Sequence, residues 1–307
     1  MGEKLLSPQD NQLDVYNLAT GEVTLLIKAG VNDVNGQVCL HPDGSGNFFL
    51  GDDTRQPDER AGWGLFSPDG TMLSKIPEPE NPGEAKQPEP YGCAVDAERR
   101  LFVSDVGSGS FGPEDGKLIM FFPPDYQTSC FLDTSLKIAS SITIDEAGNV
   151  YVAESTPPGR VYRFSPPFPS SPDDADRVPV NKSIFIEDTN LKTPMGIVRA
   201  PNGNWYVSSV FVPPLINEYD RDGKFVRNIL PKGAGGNPAG IALDSKGTLY
   251  YADLGLGPRP DSDMIGPVRG KGTVRKITFD GDGNPAPPEV LGDGLTFPDS
   301  VSVLPSL

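Results

Sequence analysis

MGIVRAPNGNWYVSS, residues 195–209, and AGIALDSKGTLYYAD, residues 239–253, are two copies of one pattern. Each reads as a short apolar strand, a tight turn centred on Asn-Gly or Lys-Gly, and a second strand ending in small and acidic residues. Three more copies align with them: YGCAVDAERRLFVSD from Tyr91, SSITIDEAGNVYVAE from Ser140 and, with three extra residues around His41, NGQVCLHPDGSGNFFLGDD from Asn35. In the four regular copies the second strand begins nine residues after the Gly92, Ser141, Gly196 or Gly240 column. Self-similarity at this scale is the signature of a repeat architecture.

Working outward, each complete copy continues into two further strands, as in GWGLFSPDGTMLSKI and PLINEYDRDGKFVRNIL. Four strands per unit make the sheet of a propeller blade. A sixth copy starts at Asp299 with DSVSVLPSL, and its missing strands are supplied by KLLSPQ, NQLDVYNLATG and EVTLLIKAG at the other end of the chain. Sharing one blade between the termini removes two open sheet edges. The sequence therefore predicts an all-β fold, a six-bladed β-propeller of four-stranded blades, with residues 1–307 forming a single domain.

Composition agrees. Glycine (35) and proline (33) are abundant without a low-complexity tract, which points to many tight turns. The net charge of −16 repels phosphate backbones and anionic headgroups, so nucleic acid and membrane are not expected partners. No apolar run approaches a membrane span. The opening MGEKLLSPQD has no apolar h-region. With its first strand starting by Lys4, the chain fits a mature exported protein, extracellular or periplasmic, whose signal has been removed. Nothing in the spacing of Cys39, Cys93 and Cys130 requires a bridge, and no structural disulfide is expected. Cys39 and Cys93 nonetheless fall on innermost strands of neighbouring blades, so a bond between them is the alternative. His41, the single histidine, reads as a surface turn residue, and its isolation excludes a Ser-His-Asp triad or a multi-histidine zinc site.

The rhythm P-x-G-I-x-x-[AD]-x-x-G-x-[LW]-Y-[VY]-[AS]-[DS] over residues 194–209 and 238–253 resembles NHL-repeat propellers and the gluconolactonase/senescence-marker/luciferin-regenerating superfamily. Two columns of residues should ring the channel on the face that carries the long loops 54–61, 77–89, 106–116 and 254–270. The first opens each innermost strand: Asn35, Tyr91, Ser140, Met195, Ala239 and Asp299. The second closes each second strand, with Asp52, Asp105, Glu154, Ser209 and Asp253. An acid after a strand caps the next turn, and that role is assigned to Asp52, Asp105 and Asp253. The resemblance implies a divalent cation held by one Glu, two Asn and one Asp, most of them in the first column. Asn35 and Asp299 match that set, Met195 stands where an Asn is expected, and the N-terminal Glu-Gly-Pro is absent.

Two functions are carried forward. In one, the protein is a scaffold whose loop-rich channel face binds a small organic molecule or a protein, with Tyr91, Ser140, Met195, Trp63 and Phe211 as contacts and Phe111 as a further wall. In the other it is a lactonase- or esterase-like hydrolase. There Ca²⁺ on Asn35, Asp299 and Glu154 polarises a carbonyl, with Asp299 as the catalytic carboxylate.

Overall fold

A computed structural model describes residues 2–53, 61–80, 89–107, 115–211, 213–231, 233–258 and 265–304. Strands β1 (Lys4–Gln9), β2 (Gln12–Asn17) and β3 (Val23–Ile27) open the chain. Blade two is β4 (Val34–Leu40), β5 (Phe48–Asp52), β6 (Gly62–Phe66) and β7 (Met72–Pro77). Blade three is β8 (Pro90–Val95), β9 (Leu101–Asp105), β10 (Gly116–Phe122) and β11 (Thr128–Leu136). Blade four is β12 (Ala139–Ile144), β13 (Val150–Glu154), β14 (Gly159–Ser165) and β15 (Asn181–Asp188). Blade five is β16 (Pro194–Arg199), β17 (Trp205–Ser209), β18 (Leu215–Tyr219) and β19 (Phe225–Leu230).

Blade six starts with β20 (Pro238–Leu243) and β21 (Leu249–Asp253). A small hairpin of β22 (Leu256–Pro258) and β23 (Ile265–Pro267) then precedes its outer strands β24 (Gly272–Ile277) and β25 (Glu289–Leu295). The last strand, β26 (Ser302–Leu304), pairs antiparallel with β1, Leu6 opposite Ser302 and Lys4 opposite Leu304. It forms blade one in the order β26-β1-β2-β3. The ring is thus the expected six-bladed propeller, closed by the two termini.

Burial follows from this stacking. The second strands β5, β9, β13, β17 and β21 are buried at every position, because each blade is covered on both faces by its neighbours. Outer strands such as β3 expose one face. Each of the six blade-to-blade seams holds its own apolar cluster. Leu6, Leu13 and Leu304 meet Phe48, Leu50 and Phe66 between blades one and two, and Tyr151 and Val161 meet Trp205 and Leu215 between four and five.

The innermost strands share a feature absent from the linear pattern. A register shift interrupts their pairing at 35–39, 90–93, 139–142, 194–197 and 238–241, so each carries a bulge next to the first-column residue. A bulge bends its strand and re-aims a side chain. The glycine column explains why it is tolerated: a Cβ at Gly92 would meet Ser140 O at 2.5 Å, and one at Gly196 would meet Ala239 O at 2.7 Å. Neighbouring inner strands touch backbone to backbone there. Ser104 and Ser208 satisfy the groups that the bulge frees. Ser104 Oγ accepts from Gly92 N at 2.8 Å and donates to Ser140 O at 2.6 Å. Ser208 does the same for Gly196 N and Ala239 O. Where the column has Ser141 instead, Gln37 crosses from blade two and brackets Ile142, its Oε1 accepting from the N–H and its Nε2 donating to the C=O.

Two cysteine and histidine expectations are corrected. Cys39 and Cys93 form a disulfide, with Cα atoms 5.9 Å apart. Sequence spacing does not reveal it, because their proximity is created by the packing of β4 against β8. Cys130 is free and buried, and burial pushes its thiol up to about 11. His41 is not a surface residue: only 8% of its side chain is exposed. It packs on Phe49 and Tyr126, with Nδ1 3.0 Å from an Asp43 carboxylate oxygen.

Titration of the denatured, unreduced protein should find one thiol. Reduction should lower the unfolding free energy by roughly 4 kcal/mol, the chain-entropy value for a cross-link closing 54 residues. Three titratable thiols, or an unchanged denaturation midpoint, would contradict the bridge.

Candidate functional site

The bulges beside Asn35, Tyr91, Ser140 and Met195 re-aim these first-column side chains. Asn35, Tyr91, Ser140, Met195 and Asp299 all line a single cavity of about 300 Å³ at one mouth of the channel. That size lies at the lower end of the roughly 300–1,000 Å³ typical of small-molecule sites. Ala239, the remaining member of the column, is instead buried against Val210 and Leu254.

Asp299 is the best-tied residue of the group. Its Oδ2 accepts from Gly36 N at 3.0 Å, and its carbonyl accepts from Tyr91 Oη at 2.7 Å and Gly240 N at 3.0 Å. These bonds reach blades two, three and six. The other carboxyl oxygen, Oδ1, is buried and has no hydrogen-bond partner, and the same holds for Asn35 Oδ1. The Asn35 side chain lies where only glycine can sit opposite, since a Cβ at Gly51 would be 2.5 Å from its Oδ1. Burial, reinforced by the field of Glu89, pushes the Asp299 carboxyl up to about 7, against the opposing backbone N–H groups of Gly36 and Ser300. Burial beside Asp299 likewise raises the Tyr91 phenol, keeping it protonated as the donor to the Asp299 carbonyl.

The second column does different work. Asp105 Oδ1 accepts from Glu89 N at 2.7 Å, Asp253 Oδ1 from Asn237 N at 2.8 Å and Glu154 Oε1 from Lys137 N at 3.0 Å. Ser209 Oγ accepts from Thr193 N at 3.2 Å. Each donor lies just ahead of the innermost strand of its own blade, so these side chains latch the strand entry. Asp52 pairs with Lys75 at 2.7 Å. Glu154 is thereby placed in a latch, 4.0 Å from Arg160, and does not line the cavity with Asn35 and Asp299.

Trp63 is fully buried on β6, a third strand, against Ile76 and Phe121 between blades two and three. It is a seam residue away from the channel wall. Phe211 is 42% exposed just beyond β17 and lies outside the cavity lining. Phe111 and most of the long loops fall outside the described residues. Sequence reasoning missed Glu89, Asp53 and Phe297, which line the cavity from inter-strand segments where no repeat marks them. It also missed Lys117, fully buried between Glu78 at 2.9 Å and Asp105 at 2.6 Å. A wider depression of about 690 Å³ lies on the opposite face, but its Arg199 is paired with Glu146 and none of its described lining atoms is a buried, unpartnered polar group. The channel mouth is the better site.

No family model matches the chain, and no curated protein matches its sequence. Solved structures do match in fold. A luciferin-regenerating enzyme superposes with a TM-score of 0.65 at 15% identity, covering 95% of this chain and 88% of its own. A putative gluconolactonase gives 0.56 at 13%, covering 81% and 85%. Regucalcin from Agrobacterium tumefaciens, a calcium-binding protein, gives 0.58 at 16%, covering 79% and 75%. The chain therefore has the six-bladed propeller fold of the gluconolactonase/regucalcin/luciferin-regenerating group.

Because an aspartic acid titrates near 4 in an unfolded chain, a folded Asp299 titrating near 7 holds its proton more tightly than the unfolded form. Its stabilising contribution is therefore complete below about pH 4 and lost as pH rises through 7, in total roughly 4 kcal/mol. Urea unfolding at pH 4.5 and 7.5 should show a wild-type slope that Asp299→Asn lacks. Equal pH dependence in the two proteins would mean that Asp299 is ionised throughout.

Proposed function

We propose that the protein binds a small organic molecule in the channel mouth, anchored on Asp299 and Asn35. The observation that supports this most directly is the pair of buried oxygens, Asn35 Oδ1 and Asp299 Oδ1, without partners in the wall of a cavity of about 300 Å³. Each buried polar group left unsatisfied costs about 1–3 kcal/mol. A ligand that hydrogen-bonds both recovers that free energy on binding. The rest of the wall suits an organic body: Tyr91, Met195, Val34, Ile138 and Phe297 offer apolar surface, and Met adapts to irregular shapes.

A second reading, a Ca²⁺-dependent hydrolase, is favoured by the same two oxygens and by the structural likeness to a calcium-binding regucalcin. Calcium takes six to eight oxygens. Among the described residues that line the cavity only Asn35 and Asp299 hold a buried oxygen without a partner, and Met195 stands where the resemblance calls for an Asn. Glu154, one of the groups that could complete that site, accepts from Lys137 N in its latch, whereas Ser140, another, lines the cavity. Asp53, Glu89 and Ser140 also line the cavity, and no hydrolytic step is assigned to it.

A fragment screen by ligand-observed NMR should return binders that Met195→Trp, which fills the cavity, displaces without lowering the melting temperature. Binders that survive this substitution would sink the cavity reading. Calcium added to chelator-stripped protein should leave the melting temperature unchanged. A gain near 2.7 kcal/mol at about a hundredfold excess over Kd, abolished by Asp299→Ala, would reinstate the metal.

A further inference from the structure

Among the described residues, Asp10, Asn11, Arg99, Tyr126 and Phe297 hold a positive φ without being glycine. Four of them have a local reason. Asp10 and Asn11 are the corner residues between β1 and β2, and a two-residue type I′ hairpin needs a positive φ at both. Arg99 takes the corner of the β8–β9 hairpin that Gly148 and Gly247 take in blades four and six. Tyr126 is buried against Phe49 and His41. Phe297, at φ 52°, is neither in a hairpin turn nor buried: it lies in the connection between β25 and β26 and is 42% exposed. A bulky residue at positive φ is a backbone outlier, and a residue ahead of a proline, here Pro298, otherwise prefers extended backbone.

Its neighbours hold it there. Thr296 N donates to Gln9 Oε1 at 2.9 Å, Pro298 pairs with the backbone of Gln9, and Pro298 Cδ lies 2.3 Å from where a Cβ at Gly272 would be. Strained conformations that persist because their surroundings over-determine them gather at binding sites. Phe297 lines the channel-mouth cavity, and among the described residues it is the one exposed large apolar side chain in that lining. The same wall holds Tyr91, fixed by its hydroxyl bond to the Asp299 carbonyl, and the Met195 thioether. Aromatic rings pack favourably face-offset or edge-on against one another, and a thioether sulfur favours a ring as partner.

On the reading of the cavity as an organic-ligand site, we propose that Phe297 is its specificity-determining residue and that the ligand carries an aromatic ring. The ring packs on Phe297 while an O–H or N–H group of the ligand donates to Asn35 Oδ1, an acceptor in every protonation state of the site. A cavity of about 300 Å³ suits one substituted ring. Holding the Phe297 side chain in place before binding lowers the ordering cost of the contact, which gives the strained backbone a use.

2-Phenylethanol and 2-cyclohexylethanol share a hydroxyl, carry no charge, and differ in whether the ring has a π face. In ligand-observed NMR titrations the phenyl compound should bind about two- to tenfold tighter. Phe297→Leu, which keeps apolar area without a π face, should erase that ratio, and Phe297→Tyr should keep it. Phe297→Asn, whose side chain tolerates a positive φ, should erase the ratio without lowering the melting temperature. Equal binding of the two compounds by the wild type, or a ratio that survives Phe297→Leu, overturns the aromatic assignment and leaves an organic site standing. A lower melting temperature in Phe297→Asn would mark the ring as packing and overturn it as well. If neither compound binds, the Met195-sensitive fragments decide. Aromatic hits weakened by Phe297→Leu support the assignment, and hits without a ring, or indifferent to that substitution, overturn it. A screen without any Met195-sensitive hit overturns the organic-ligand reading beneath it.

Discussion

The constraint on which the structure depends is the approach of neighbouring innermost strands at the glycine column. Six strands can surround a narrow axis only if their backbones come within van der Waals contact, and Gly36, Gly92, Gly196 and Gly240 are where they do. A Cβ at Gly36 would sit 2.1 Å from the Tyr91 carbonyl oxygen, a distance that no side-chain rearrangement can relieve. The bulges that accompany this approach leave backbone groups out of the ladder. A buried N–H without a partner is costly, so the hydroxyls of Ser104 and Ser208 are placed to relay between a glycine N–H and the carbonyl of the next blade. Packing geometry and hydrogen-bond satisfaction are thus one device, repeated around the ring.

The same device builds the site. A bulge turns the neighbouring residue inward, and where that residue is Asn35, Tyr91, Ser140 or Met195 it lines the cavity, which Asp299 joins from the segment ahead of β26. Asp299 joins the two roles, since it links blade one to blades two, three and six while presenting one unpartnered oxygen. Fixing a carboxyl through its own backbone and one oxygen leaves the other oxygen held in a set direction, which is the kind of preorganisation that binding sites use. The Cys39–Cys93 bridge ties blades two and three directly beneath Asn35 and Tyr91, adding a covalent restraint to the wall that carries them.

Acidic side chains on this chain divide by what is near them rather than by type. Asp105 lies beside the fully buried Lys117, Glu154 latches Lys137 N, and Asp253 holds both a backbone N–H and Arg275. Compensated in this way, such groups serve structure. Asp299 has no basic side chain among its hydrogen-bond partners, only backbone donors and the tyrosine hydroxyl at its carbonyl, and burial pushes its carboxyl up to about 7. Removal from water without a counter-charge separates a functional carboxyl from a structural one here.

By itself the sequence determined the number of blades, the four-strand unit and the closure by β1 and β26, because each follows from periodic apolar patterning and tight-turn chemistry that act locally. It also determined which residues occupy equivalent positions, so Asn35, Tyr91, Ser140, Met195 and Asp299 could be grouped from the repeat alone. Tertiary structure decided which of two equivalent columns faces the cavity. Glu154 and Asp299 are both acids at repeat positions, and only packing across blades tells a latch from a wall. It also decided that Cys39 meets Cys93, that Trp63 fills a seam, and that Glu89 and Phe297 join the mouth. These are contacts between segments far apart in the chain. Their distances are set by the ring's closure and by the backbone approach at the glycines, neither of which leaves a period in the sequence.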